Sequence, residues 1–271
     1  IGTAAIGHNR YITSGSDHPD MMQPYRFRAD GHDFAFGFNG NIANFNQLRR
    51  QLDPLRFDVD TEAIRQLLIT HISQHTRSHM AHVFRGLEEQ LDGAYNIAMM
   101  DDDGNIWAYR NALGFRPLSY YTDERRVVAA SETIGINADD GGLTFPYPEI
   151  DPAAIRTLQP GHLLEVLDRN LSIHTVLDSP ERAHCFFEWM YFANVLSTFD
   201  DIHVGAIRER FGALLAQQED HTQWDRENSI VIPVPHSAQK AGEGYAREAN
   251  LPLDADERTI ERLSSGRTFT R

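Results

Sequence analysis

Three short stretches carry residue types that can do chemistry together. "GHNRYITSG", residues 7–15, sets Arg10 beside a Thr-Ser-Gly turn that includes Thr13. Alone, Arg10 reads as a structural arginine. Given an acceptor ligand, its guanidinium is a fork shaped for a carboxylate. "DFAFGFNGN", residues 33–41, ends on Asn39-Gly40. The dipeptide by itself signals a type I′ hairpin turn after a strand. It also has the makings of an oxyanion hole, because the Asn amide and the next backbone N–H both donate. Glycine lets a substrate approach that backbone closely. Asp60 opens "DTEAIRQLLITHI". It reads as the N-cap of the helix behind it, or as the receiver of a substrate ammonium.

The elements that would position these residues can be read coarsely. Aromatic residues alternate through Phe34, Phe36 and Phe38, a strand pattern. "NFNQLRRQL" has helical spacing at Phe45, Leu48 and Leu52, and the stretch from Asp60 continues with Ile64, Leu67, Leu68 and Ile72. "AYNIAMMDDDGNIWAYRN" reads as two strands around an Asp-Gly-Asn turn, and "RVVAASE" and "HLLEVL" as further short strands. This is an α+β pattern with antiparallel hairpins. Beyond about Pro180 it changes. "FFEWMYFANV" is densely aromatic, and "DDIHVGAIRERFGALLAQQ" reads as an amphipathic helix. "SIVIPVP" reads as a continuous apolar strand of a parallel sheet, and "AQKAGEGYAREANL" as the helix after it. No internal repeat or low-complexity tract is present.

Bulk properties exclude several classes. The chain has 271 residues, 41% hydrophobic and 24% charged, with a net charge of -14. That is the composition of a globular protein, and the charge argues against non-specific nucleic-acid binding. No apolar run is long enough to span a membrane. The single Cys185 rules out an internal disulfide framework and fits a reducing cytoplasm.

Taken in order, "GHNRYITSG", "FNGNIANFNQLR" and "DTEAI" closely resemble the glutaminase domain of the amidophosphoribosyltransferase family. The resemblance continues through "LDGAYNIAMMDDDG", "NALGFRPLSYY", "VVAASET" and "IRTLQPGHLLEV". It crosses into the second pattern at "CFFEWMYFANVLS" and "VIPVP", and reaches "GRTF". It implies an α+β N-terminal-nucleophile (αββα) domain over residues 1–177. The beginning of an α/β phosphoribosyltransferase domain over 178–271 is implied to follow. Arg10 would grip the α-carboxylate of glutamine, and Asp60 its α-ammonium. Asn39 and Gly40 would stabilise the oxyanion, with Thr13 in the same pocket. Arg267, Thr268 and Phe269 match the loop that closes over phosphoribosyl pyrophosphate. The ammonia released would displace pyrophosphate and give 5-phosphoribosylamine, the committed step of purine synthesis. Mg2+ as cofactor and a homo-oligomer are implied too. Ser237 matches a position near the transferase metal, although His236, Ala238 and Lys240 depart from the usual pattern.

Other departures matter. The family's nucleophile is an N-terminal cysteine whose own amine is the base. The resemblance places it ahead of Ile1, and the phosphate-binding loop after "GRTFTR". The chain as written is therefore expected to lack both. A fragment is the expected explanation. The alternatives are a glutaminase-dead regulatory or binding paralogue, or another amidotransferase of the glucosamine-6-phosphate synthase type. Phe38 stands where the family usually has histidine. Cys185 matches a position that binds an iron-sulfur cluster in some members, but one cysteine cannot hold a cluster, so a buried free thiol is expected. His71, His75, His79 and His82 would form one stripe on a helix, read as a solvated face rather than a zinc site. The Asp101–Asp103 run reads as a hairpin turn rather than a cation loop.

Overall fold

The computed structural model of the chain describes residues 3–9, 22–52, 59–137, 150–178, 182–220, 224–254 and 259. Arg10, Thr13, Arg267, Thr268 and Phe269 lie outside the described residues. The chain divides into two compact units. One draws on Ile1–Ser131 and Arg156–His184, the other on Glu132–Ile155 and Cys185–Phe269.

The first unit is built on a six-stranded antiparallel sheet of β1 (Tyr25–Ala29), β2 (His32–Ile42), β3 (Gly93–Asp101), β4 (Ile106–Arg110), β8 (His162–Leu167) and β9 (Asn170–Thr175), in that order. Side chains alternate across it. Phe36 and Phe38 of β2 face the same way as Ile97 and Met99 of β3, and as Trp107 and Tyr109 of β4. All are buried with Ile64, Leu68 and Ile72 of α2 (Asp60–His75), and with Val83, Phe84 and Leu87 of α3 (Met80–Glu88). Leu48 of α1 (Phe45–Leu52) joins the same core. Near-complete burial of such side chains stabilises by about 1.5–3 kcal/mol each before entropy is counted.

The opposite face of the sheet packs on a smaller one, of β5 (Ser119–Thr122), β6 (Val127–Ala130) and β7 (Arg156–Thr157), ordered β6-β5-β7. Ala108 and Leu164 from the large sheet meet Leu118, Leu158, Tyr120 and Val127 there. Two stacked antiparallel sheets are thus present, as expected, and the described residues place helices on the outer face of the larger one.

The Asp101–Asp103 run is a hairpin turn. The Asp101 carboxylate accepts from the amides of Asp103 and Asn105 at 3.1 and 2.9 Å and from the Asn105 side chain at 2.8 Å. The histidine stripe is not one solvated helix face. α2 ends at His75, Thr76 turns the chain with φ 64°, and α3 starts at Met80. His75, His79 and His82 are exposed, but His71 is buried against Gly86 and bonds the Gln90 side chain at 2.7 Å.

In the second unit, Glu188–Phe192 forms a π-helical turn, and Trp189 packs against Phe199 in a tilted pair with centroids 3.9 Å apart. α4 (Val204–Gln218) follows a two-stranded ribbon, β10 (Thr198–Phe199) and β11 (Ile202–His203). It packs on α5 (Gln239–Ala249) through Gly212 and Gly244, where a Cβ would come within 1.8 and 1.9 Å of facing carbonyl oxygens. "SIVIPVP" is not a continuous strand among the described residues. It makes a single parallel bridge, Val231 to Leu253, and Ile230 and Val234 are exposed. Pro233 and Pro235 have no N–H to give a ladder. Cys185 is a free thiol, half-buried rather than buried. No helix of the described residues is long and apolar enough to cross a membrane.

Candidate glutaminase site

Asn39 and Gly40 are not in a turn. Both lie inside β2, opposite Asn96 and Tyr95 of β3, and the pairing runs on to Ile42 opposite Gly93. The hairpin reading of the dipeptide therefore fails. The long ladder outweighs a local turn preference that spans only two residues.

The strand fixes the direction of both donors. Phe38 N–H points away from β3 and bonds the side-chain carbonyl of Gln23 at 2.6 Å. Gln23 stands just ahead of β1, whose first residue, Tyr25, pairs with Phe36. Backbone groups alternate in direction along a strand. Gly40 N–H therefore points the same way as Phe38 N–H. Among the described residues β1 does not extend to face it. Tyr95, opposite Gly40, has its carbonyl committed on the far side, to Asn111 N–H at 3.2 Å. Gly40 N–H is thus a strand amide aimed off the sheet edge.

Asn39 faces the inter-sheet side, as do Asn96 and Arg110 in the same register. Its side chain is half-buried, and Nδ2 donates to Ser131 Oγ at 3.2 Å. Ser131 follows the end of β6 directly. Gly40 has no room for a side chain. A Cβ there would fall 2.3 Å from Ala94 O and 2.6 Å from Tyr95 Cα. Glycine is required here by close strand approach.

Tyr95 is anchored in turn. Its hydroxyl donates to Glu88 of α3, which also accepts from Ala112 N–H. Burial is the main influence on Glu88 and pushes its carboxyl above the usual range. Burial and the neighbouring Glu88 push the Tyr95 phenol well up. On the inter-sheet face, Arg110 is buried and donates to the carbonyls of Arg116, Leu158 and Gly114 at 2.8–2.9 Å. The frame behind the two donors is rigidly tied.

Asp60 is the first residue of α2, and Val59 occupies the cap position without a side-chain bond. The N-cap expectation is corrected by one residue. The Asp60 carboxylate instead accepts from Thr61 N–H at 2.9 Å, within the positive end of the helix. α2 packs on β1 and β2. Ser237 is half-buried in the turn that leads into α5.

Among the described residues, His32, Asp102 and Asp103 bring potential metal-ligand atoms within 4.8 Å of one another. A cation is already there. Arg77 Nη1 lies 3.1 Å from Asp101 and 3.3 Å from His32 Nδ1, and it pairs with Asp103. Cys185 belongs to no converging group of His, Cys, Asp or Glu among the described residues. A lone hydroxyl is not the oxygen set that Mg2+ requires, and one thiol does not hold an iron-sulfur cluster.

Residues 8–138 match the family described as "Glutamine amidotransferase domain". An amidophosphoribosyltransferase of Archaeoglobus fulgidus is 34% identical over 272 residues, covering 99% of this chain and 55% of that protein. The Bacillus subtilis enzyme of the same name is 29% identical, again over 99% of this chain and 52% of its own length. The chain is similar to these amidophosphoribosyltransferases over nearly its whole length. It spans about half the length of the curated relatives it matches. A solved glutamine phosphoribosylpyrophosphate amidotransferase from B. subtilis, complexed with ADP and GMP, superposes with a TM-score of 0.70 at 26% identity, covering 95% of this chain and 54% of that one. The expected fold class stands: a glutamine amidotransferase domain followed by the start of a phosphoribosyltransferase domain. Of the residues around the site, Ser131, Gln23 and Glu88 were not singled out from sequence. Ser131 lies within the quoted "VVAASET", but nothing local in it points to Asn39.

Proposed function

We propose that the protein carrying this chain is an amidophosphoribosyltransferase. Glutamine is hydrolysed in the first domain, and the ammonia displaces pyrophosphate from phosphoribosyl pyrophosphate to give 5-phosphoribosylamine. The observation that carries the reading is the pair of donors at Asn39 and Gly40, one side-chain and one backbone, at adjacent positions of β2.

In this reading the tetrahedral intermediate at the glutamine side-chain amide places its oxyanion against Asn39 Nδ2 and Gly40 N–H. Gly40 N–H is held by the strand and Asn39 Nδ2 by its bond to Ser131 before charge develops, so little reorganisation is needed during the reaction. Asp60 takes the α-ammonium and Arg10 the α-carboxylate. A zwitterionic amino acid needs one anion, one cation and a donor pair spaced by its side chain. Thr13 lines the same pocket. Arg267, Thr268 and Phe269 close over the phosphoribosyl donor. Mg2+ would offset the charge of the pyrophosphate leaving group. Ser237 alone does not build a site for it, and no step here depends on it. The protein acts in the cytoplasm as a homo-oligomer, with residues 1–177 forming the glutaminase domain and 178–271 the first part of the transferase.

The test is phosphoribosylamine formation by the protein that carries this chain, with glutamine and with an ammonium salt side by side. Asn39→Ala should lower glutamine-dependent kcat by about a hundredfold or more and leave ammonia-dependent synthesis unchanged. No product with either nitrogen source would overturn the reading. So would equal loss of both activities in Asn39→Ala.

A further inference from the structure

We infer that Ser131 is a positioning residue for the oxyanion carboxamide of Asn39. The inference rests on the role proposed for Asn39 and extends it to a residue 92 positions later in the chain.

The chemistry follows from what an asparagine side chain needs to act as a donor. Its final torsion is broad, because it joins a tetrahedral carbon to a planar amide. The strand fixes where the Cβ of Asn39 points, but not the plane of its amide. Nδ2 carries two hydrogens. One is directed at Ser131 Oγ, 3.2 Å away. That bond orients the plane and leaves the second hydrogen for the substrate. Asn96 stands directly opposite Asn39 on the same face, but its Nδ2 donates to Pro117 O at 2.6 Å and its Oδ1 receives no bond from Asn39, whose amide turns to Ser131 instead. Ser131 is carried at the end of β6, in the sheet stacked on this face. The second sheet thereby supplies orientation to a donor that belongs to the first.

A hydroxyl acting through Asn39 touches no reacting atom. Its loss should make the amide plane mobile rather than remove the donor. Ser131→Ala should lower glutamine-dependent kcat by about five- to twentyfold, a fraction of the loss from deleting the donor itself. KM for glutamine should change less than about twofold, since ground-state binding falls to other groups. Ser131→Thr keeps the hydroxyl and should recover most of the rate. The decisive measurement is the double variant. Ser131→Ala should cost nothing further once Asn39→Ala is in place, because residues acting through one another are not additive. Thermal melting of each variant reports folding separately.

Two results would overturn the inference: a wild-type rate in Ser131→Ala, or a loss that multiplies with that of Asn39→Ala. Either, with Asn39→Ala itself impaired, leaves the site reading intact and removes only Ser131. A wild-type glutamine rate in Asn39→Ala would instead remove the site reading, and this inference with it.

Discussion

Gly40→Ala should damage folding and turnover together, whereas Asn39→Ala should damage turnover alone. The added Cβ at position 40 would sit 2.3 Å from Ala94 O and 2.6 Å from both Tyr95 Cα and Cβ. Two of these atoms are backbone of the neighbouring strand, so no side-chain rotation relieves the clash. β2 and β3 must separate locally, and the pairs from Asn39–Asn96 to Ile42–Gly93 are the ones strained. Overpacking of this kind costs about 1–3 kcal/mol, and with backbone as the obstacle the upper part of that range applies. For a domain of this size each kcal/mol lowers the midpoint by about 2–4 °C, so a fall of about 4–12 °C is expected. Gly7→Ala is the steric control, because a Cβ there meets nothing within 4 Å. It should stay within about 0.5 kcal/mol of wild type. Asn39→Ala gives up one bond at a half-buried side chain and should cost about 1 kcal/mol or less. Differential scanning calorimetry alongside glutamine hydrolysis separates the cases, with the two compact units followed as separate transitions. An unchanged midpoint in Gly40→Ala would refute the argument that close strand approach demands glycine here.

Three further outcomes follow from the same geometry. Asp60→Ala should raise KM for glutamine about tenfold or more with kcat little changed, because an ammonium contact persists from ground state to transition state; a fall confined to kcat would contradict the role given to Asp60. Burial holds the Glu88 carboxyl above its usual range, so its contribution to stability is full below the ordinary glutamate pKa and is lost as pH rises through the raised one. Urea midpoints measured from pH 4 to 8 should therefore fall less with rising pH in Glu88→Gln than in wild type, and parallel curves would count against it. Arg110→Ala leaves the carbonyls of Arg116, Leu158 and Gly114 without their buried donor and should destabilise the first unit by about 3 kcal/mol or more; a midpoint within 2 °C of wild type would show that other donors replace it.

The sequence by itself determined the class of fold, the faces of the main strands and the order of the candidate site. The period-two spacing of Phe34, Phe36 and Phe38 marks one buried face, and all three are buried in the core of the large sheet. The helical spacing from Asp60 to Ile72 likewise matches α2. Such patterns are legible because each residue's burial is set by the periodicity of its own element. Other features were decided only by the tertiary structure. Asn39-Gly40 carries a local turn signal, yet the partner strand continues past it and keeps it extended. His71 has a polar neighbourhood in sequence, and Gly86, fifteen residues on, opens the space that buries it. "SIVIPVP" has the apolarity of a strand, but a strand exists only where partner segments complete its hydrogen bonds, and here the described residues offer Leu253 alone. Asn39 lies in one sheet and Ser131 just past a strand of the other, and their contact exists because those sheets stack. Local periodicity selects the elements and their faces; pairing and stacking energies, summed over many residues, decide which distant groups meet.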